Sequence, residues 1–388
     1  MQRPIPKRLP ASVHFDQFMQ PIDTTLENAP ELNSRGHRPL KMDFEEQLRI
    51  LVYYHLHEYR SAQHLLQALK EDDFARQYIA PEQGIEKSSF SEAINNRGLE
   101  QLLHVFKGLQ TQAHDLLPNV HPELGSLVGI DGSLIDGSLS MLWADYRKGS
   151  KKAKAHVGFD LNRSIPRKVY LTNGKGGERP FVSKILSKDE TAVTDRGYQC
   201  HRLFDQWQQD GQLFICRIKA STKKKILSKN TVPADSIVFF DATVLLLGTP
   251  GVNQSQTPLR LVGYEVDRVK YWIATNRHDL TGEQIAQAYK LRWNIENFFG
   301  WWKRHLKVYH LIARSAYGLM VQILAGLITY LLLAIHCHKH YQEKVSIRRV
   351  RQLRTTIENE LRSMPMPDDD FDESNVKEKK LQFVNAKT

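Results

Sequence analysis

The chain has 388 residues, a formal charge of +11 at pH 7 and three cysteines. That length admits two or three domains around a substantial core, and Cys200, Cys216 and Cys337 cannot build a disulfide framework, so a reducing, cytoplasmic setting is expected. The charge is uneven: residues 1–120 carry 13 basic and 16 acidic groups, residues 121–350 carry 34 and 19, and residues 351–388 carry 7 and 8. The basic excess therefore lies in the middle segment, densest in KGSKKAKAH (148–156) and KASTKKKILSK (219–229), which predicts that a polyanion such as DNA is bound there rather than a generically basic surface.

In chain order, residues 1 to about 40 are proline-rich and weakly periodic, and no charged start followed by an apolar run opens the chain, so no export is expected. DFEEQLRILVYYHLHEY (43–59), SAQHLLQALKEDDFARQYI (61–79) and, after the PEQG turn, SSFSEAINNRGLEQLLHVFKGL (88–109) read as short helices. The turn and the polar-faced helix from Ser88 form a helix-turn-helix candidate, although any helical bundle has such a turn and this region is net acidic.

From residue 127 the pattern becomes strand-like: LVGIDGSLI, KAHVGFDLN and RKVYLTNG, a helix near 178–186, TAVTDRGY, a helix at 200–209, and QLFICRIK. SIVFFDATVLLLG, PLRLVGYEV and VKYWIATN follow, so about 220–277 reads as a β-rich insertion. Two of the apolar runs end in an aspartate, Asp131 in LVGIDGS and Asp195 in TAVTDRGY, as buried strands delivering a carboxylate at their ends would. Asp136, in the repeated IDGS tetrad, is a rival for the first position; Asp131 is preferred because it follows the longer apolar run.

Thr281, three residues before Gln284, predicts a capping box opening one long helix, with no proline for the next two dozen residues. At about 100° per residue, Tyr289, Arg292, Glu296 and Lys303 fall within an arc of about 60°, while Leu291, Ile295, Phe298, Trp302 and Leu306 form a separate apolar stripe. An i,i+4 surface ion pair would explain Arg292 and Glu296 alone. Together with Asp131 and Asp195, Glu296 makes a candidate divalent-metal site. GLMVQILAGLITYLLLAI (318–335) has the minimal length of a membrane span, about 17 to 18 residues, yet ends a domain suited to a charged ligand and is read as a core helix. HCHKH (336–340) is read as a surface histidine patch rather than a zinc site, and the tail after 345, with PDDDFDES, as charged, helical in part and mobile.

The pattern Tyr289, Arg292, Glu296, Lys303 is similar to the Y-x2-R-x3-E-x6-K (YREK) signature of DDE transposases from bacterial insertion sequences, and Asp131 and Asp195 resemble that family's first two acids. Gly132 departs from the serine or threonine that often follows the first acid. The resemblance spans about residues 120–310. It implies an α/β, ribonuclease-H-like mixed sheet with flanking helices, divided as an N-terminal helical DNA-binding domain (1–118), a first part of the catalytic core (119–219), the β insertion (220–277), a second part of the core (278–340) and a C-terminal tail (341–388). It also implies cleavage of element ends and their joining to target DNA with two Mg²⁺ ions, for which Mn²⁺ could substitute. Asp131 would bridge the ions, with Asp195 on one and Glu296 on the other. Tyr289, Arg292 and Lys303 would hold phosphates, and Trp272 is a candidate for base stacking in a hairpin intermediate. Ser89, Glu92, Asn95 and Asn96 are candidates for reading the terminal inverted repeats. The expected setting is a dimeric synaptic complex on double-stranded DNA, nucleoid-associated, with no membrane partner. A ribonuclease-H-like nuclease without strand transfer and an inert transposase-derived DNA-binding protein remain the alternatives.

Overall fold

The computed structural model describes residues 12–32, 40–249 and 253–363. It begins with helices α1 (Val13–Met19), α2 (Asp23–Leu26), α3 (Phe44–Leu56), α4 (Ala62–Glu71), α5 (Lys87–Asn96) and α6 (Leu99–Leu116). Reciprocal Asp43 and Glu46 hydrogen bonds start α3. The stretch 88–109, read as helical, holds two helices that meet at Arg97–Gly98, and α1, in the weakly periodic region, was not expected.

The sheet begins with β1 (Leu127–Asp136), β2 (Asp145–Arg147), β3 (Ser150–Asp160) and β4 (Ile165–Asn173), followed by α7 (Val182–Ile185), β5 (Thr191–Thr194), α8 (His201–Gln209) and β6 (Leu213–Arg217). It continues with β7 (Lys224–Lys229), β8 (Val238–Leu246), β9 (Leu259–Val266) and β10 (Val269–Thr275). Strand order is β2-β3-β1-β5-β6-β10-β9-β8-β7, with β4 also on β3. β1, β5 and β6 run parallel; β3 pairs antiparallel with β1, and β4 antiparallel with β3. The run β4-β3-β1-β5-β6 is compatible with the expected ribonuclease-H-like sheet. The strands of 220–277 continue this sheet, since β10 pairs antiparallel with β6 over Ile273–Thr275.

The chain closes with α9 (Gly282–Leu291), α10 (Trp293–His305), α11 (Ala316–Tyr341), α12 (Ile347–Glu358) and α13 (Glu360–Ser363). Thr281 and Gln284 form the expected capping box. The one long helix predicted from it is two, because Arg292 is a turn residue: its N–H bonds to Tyr289 O and its carbonyl accepts from Ile295 N, both i to i−3 contacts that tighten the chain between α9 and α10. PDDDFDES lies outside the described residues.

One sheet face packs against α9, α10, α11 and the N-terminal helices in a single apolar core; the other packs against α7 and α8. The apolar stripe behaves as predicted, with Ile295, Phe298, Trp302 and Leu306 buried and Leu291 half-buried. The long apolar helix α11 is buried over 94% of its most apolar window, consistent with its apolar surround and a place in the core.

Glu58, just beyond α3, ties three parts together. Its carboxylate accepts from Arg354 of α12 at 2.7 Å, pairs with Lys307 at 3.2 Å and meets His305 of α10 at 3.5 Å. Burial pushes its pKa up, but the hydrogen bonds and charges of Arg354 and Lys307 outweigh burial and leave it below the ordinary 4.5. A carboxyl with a depressed folded pKa contributes stability above its unfolded pKa and loses it as the pH falls through the folded value. Glu58→Gln is therefore expected to cost about 1–2 kcal/mol at pH 7 in denaturant titration, with the gap to wild type closing as the pH drops below 4.5. A gap independent of pH would contradict the ionic role.

Candidate active site

Asp131 and Asp195 reach the same place by strand register. The parallel pairing of β1 with β5 ends at Gly129 opposite Val193, and each aspartate lies two residues beyond that last rung, where the two adjacent strands part. Asp195 directly follows β5 and accepts from Gly197 N at 2.8 Å. Asp131 differs from the expectation of a strand-end carboxylate. β1 runs on to Asp136 because its other edge stays paired with β3, Asp131 opposite Val157 and Asp136 opposite Lys152. Burial raises the Asp131 carboxyl to about 6, opposed by its bond from Gly132 N and increased by the charges of Asp195 and Glu178, while Arg292 favours the ionised form.

The α9–α10 junction supplies the cations. Arg292 Nη2 donates to Glu296 Oε1 at 2.6 Å, and the arginine side chain is 11% exposed, so the bland i,i+4 pair exists but is partly buried beside Asp131. The Arg292 guanidinium stands 5.6 Å over the Tyr289 ring. The Tyr289 hydroxyl and Arg292 Nε are both buried without a well-formed hydrogen bond, their polar interaction being with each other. Lys303 is half-buried; burial lowers its pKa, while the charges of Asp136 and Asp131 work the other way. Asp131, Asp195, Tyr289, Arg292 and Lys303 thus act on one another electrostatically, and Glu296 joins them through Arg292.

A profile of the transposase DDE domain matches residues 125–332, more than half of the chain. The chain belongs to the DDE transposase family. Curated relatives include a probable transposase for insertion sequence element IS5377 of Geobacillus stearothermophilus, 27% identical over 51% of this chain and 52% of that protein. A putative transposase y4zB of Sinorhizobium fredii is 26% identical over 50% and 56%, and a putative transposase for insertion sequence element IS4SA of Synechocystis sp. is 23% identical over 65% and 72%. The chain spans about half the length of the first two.

DDE transposases generally use divalent metal ions, and the residues here fit one on donor chemistry. Asp131 and Asp195 offer hard oxygen ligands, and the half-buried Asp131 carboxylate, crowded by negative charge, is faced by the cations Arg292 and Lys303. Glu296 is turned to Arg292, and among the described residues no three His, Cys, Asp or Glu side chains are grouped as a ready metal cluster.

Three neighbours were not among the candidate site residues. Glu178, in the loop after β4, lies over Gly132: a Cβ at Gly132 would meet Glu178 Oε1 at 2.6 Å, so the glycine makes room for this carboxylate. Lys154 holds Glu178 at 3.2 Å. Arg217, the last residue of β6, stands 4.7 Å over the Tyr271 ring and adds its charge beside Tyr289. Strand alternation in the basic stretch could have flagged Lys154; a loop glutamate has no periodicity to read.

Other predicted residues lie elsewhere. Asp136 is 80% exposed and paired with Lys152. Trp272 is on the opposite sheet face, between Phe239 and Phe240 at 5.3 and 5.2 Å with Lys224 Nζ 3.9 Å over its ring. The neighbouring Tyr271 faces Tyr289 instead. On α5, Glu92 pairs with Arg97, Asn95 joins Ser315 at the start of α11, and Asn96 donates to Glu92 O; Ser89 is half-buried.

An acid with a raised folded pKa penalises the folded state once it ionises, so stability falls as the pH rises from 3.8 to about 6. Asp131→Asn, in EDTA, is therefore expected to raise the stability at pH 7 by up to about 3 kcal/mol and to change little below pH 3.8. Thermal melts across that range check it; a destabilised variant at pH 7 would contradict the assignment.

Proposed function

We propose that this chain is a DNA transposase that cuts the ends of its element and joins them to target DNA. The supporting observation is the placement of Asp131 and Asp195 at matching offsets past the β1–β5 pairing, next to the basic face of the α9–α10 junction. Its substrates are the terminal inverted repeats and the target duplex, engaged in a dimeric synaptic complex at the nucleoid.

Asp131, Asp195 and Glu296 would hold two Mg²⁺ or Mn²⁺ ions, which when bound supply stabilisation of the entering and leaving oxygens of an in-line displacement. The residues of the chain do the positioning. Arg292 exchanges Glu296 for a phosphate oxygen, which frees the glutamate as a ligand and keeps the largely covered guanidinium paired. Tyr289 donates its buried hydroxyl to the same phosphate. Lys303, two turns from Glu296, holds a flanking phosphate as a point charge. Water first breaks the phosphodiester to leave a 3′ hydroxyl. That hydroxyl then attacks the opposite strand to form a hairpin, whose opening regenerates the 3′ end for attack on the target.

Alanine at Asp131, Asp195 or Glu296 is expected to lower strand cleavage at least about 10³-fold while DNA binding survives. On a denaturing gel, wild type with Mg²⁺ is expected to yield a foldback species of doubled strand length. Linear 3′-hydroxyl ends alone would exclude the hairpin, cleavage without joining would favour a simple nuclease, and nicking by Glu296→Ala would overturn the acid assignment.

Arg292→Gln and Lys303→Gln are each expected to weaken binding on any sequence and reduce the salt slope by about one contact. Fluorescence anisotropy against salt concentration checks this. A changed base preference with an unchanged slope would contradict phosphate contacts.

A further inference from the structure

Between β1 and β2 the chain makes a loop, residues 137–144, that no part of the proposed mechanism uses. It is firmly held. Gly137 N bonds to Lys151 O and Lys152 N to Ala144 O, both at 2.8 Å, and Met141 N and Ala144 N close turns onto Ser138 O and Met141 O. Met141 and Ala144 are buried, and Trp143 Nε1 donates to Arg314 O at 2.8 Å. On this anchored base Leu139 is 72% and Leu142 79% exposed, the two most exposed large hydrophobic side chains among the described residues.

The surroundings of these leucines are cationic. Exposed Arg147 and Lys148 follow in the β2–β3 hairpin, and Lys151 and Lys152 line the start of β3, while Asp145, the one acid directly after the loop, is paired with Lys151 and Lys175. At the root of the loop, Asp136 is paired with Lys152 and lies within electrostatic reach of Lys303. Two rigidly presented leucines therefore project from a basic rim that begins beside the phosphate-binding lysine. A protein partner would need a wider apolar patch than two side chains, and a rim of like charge does not suit a second copy. Duplex DNA offers both complements, phosphates for the cations and a base step that an apolar wedge can part, and leucine is among the residues that do so.

We infer that Leu139 and Leu142 insert between bases of the element-end duplex a few base pairs from the scissile phosphate, since five strand residues, about 16 Å, separate Asp131 from the root of the loop, and unstack a step while Arg147 and Lys148 hold the flanking backbone. This rests on the transposase reading and adds to it the device that opens the duplex, which strand cleavage and hairpin formation require.

The test uses the full chain and a duplex of the inverted repeat flanking its gene, with 2-aminopurine placed at successive positions near the cleavage point. In EDTA, wild type is expected to raise the fluorescence about threefold or more at one or two adjacent positions. Leu139→Ala/Leu142→Ala is expected to abolish that rise while its melting temperature is unchanged and its affinity falls less than about tenfold; Leu142→Phe with Leu139 intact should keep the rise. A double variant that folds, binds and leaves the fluorescence rise in place overturns the inference, as does one that only lowers the mass in light scattering, which would make the surface a contact between copies. If wild type binds and cleaves the end but unstacks no base, the inference fails and the transposase reading stands. If wild type does neither, both fail.

Discussion

The site depends on α10 lying directly across β1. Gly129 lies under this contact: a Cβ there would meet Ile295 of α10 at an ordinary 3.6 Å and press on the tip of the Leu161 side chain at 2.8 Å. Ile295 sits against the strand, and Phe298, one turn on, packs its ring 4.8 Å from Phe159 of the paired strand β3. The stripe then continues through Trp302 to α11, whose Tyr330 meets Phe298 edge-on at 5.0 Å. A helix fixed by this packing carries Arg292, Glu296 and Lys303 on the adjoining face, which brings Arg292 and Lys303 within electrostatic reach of Asp131. Packing thereby sets the electrostatics.

Those electrostatics are unfavourable in isolation. Asp131 is half-buried near two further carboxylates, and Arg292 is largely covered with one nitrogen unpartnered. Buried charge that is incompletely paired costs stability, and such arrangements concentrate at functional sites. Arg292 is the pivot: it compensates Glu296 directly and Asp131 through space. Phosphate and cation together would satisfy every one of these groups, since the phosphate takes the arginine and the cation takes the acids.

Much of this was legible in the sequence where the signal is local. The capping residues Thr281 and Gln284, the apolar stripe and the four-residue polar face follow from a 3.6-residue period, and the tight turn at Arg292 did not disrupt them. The two aspartates stood out because short apolar runs led to them. What escaped depends on pairing at long range. β1 outran Asp131 because β3, two dozen residues later in the chain, carries its free edge onward. Strand β10 joined the main sheet rather than a separate unit because its partner, β6, precedes it by some fifty residues. Trp272 sits in a strand apolar on both faces, so alternation could not say which face it takes, and it lies away from Tyr289 while Tyr271 lies toward it. On α5, Asn95 looked free to read DNA, but a serine from α11, far away in the chain, already holds it.

In the proposed mechanism Asp131, Asp195 and Glu296 converge on one divalent-ion site once Arg292 releases the glutamate. Fe²⁺ bound in place of Mg²⁺ generates hydroxyl radicals that cut the nearby backbone, and sizing the fragments from the protein bound to an element-end duplex reads the site directly. Cuts clustered at 131, 195 and 296, all suppressed by excess Mg²⁺, are the predicted result. Cuts confined elsewhere, such as the histidines at 336–340, or none that Mg²⁺ suppresses, would contradict it.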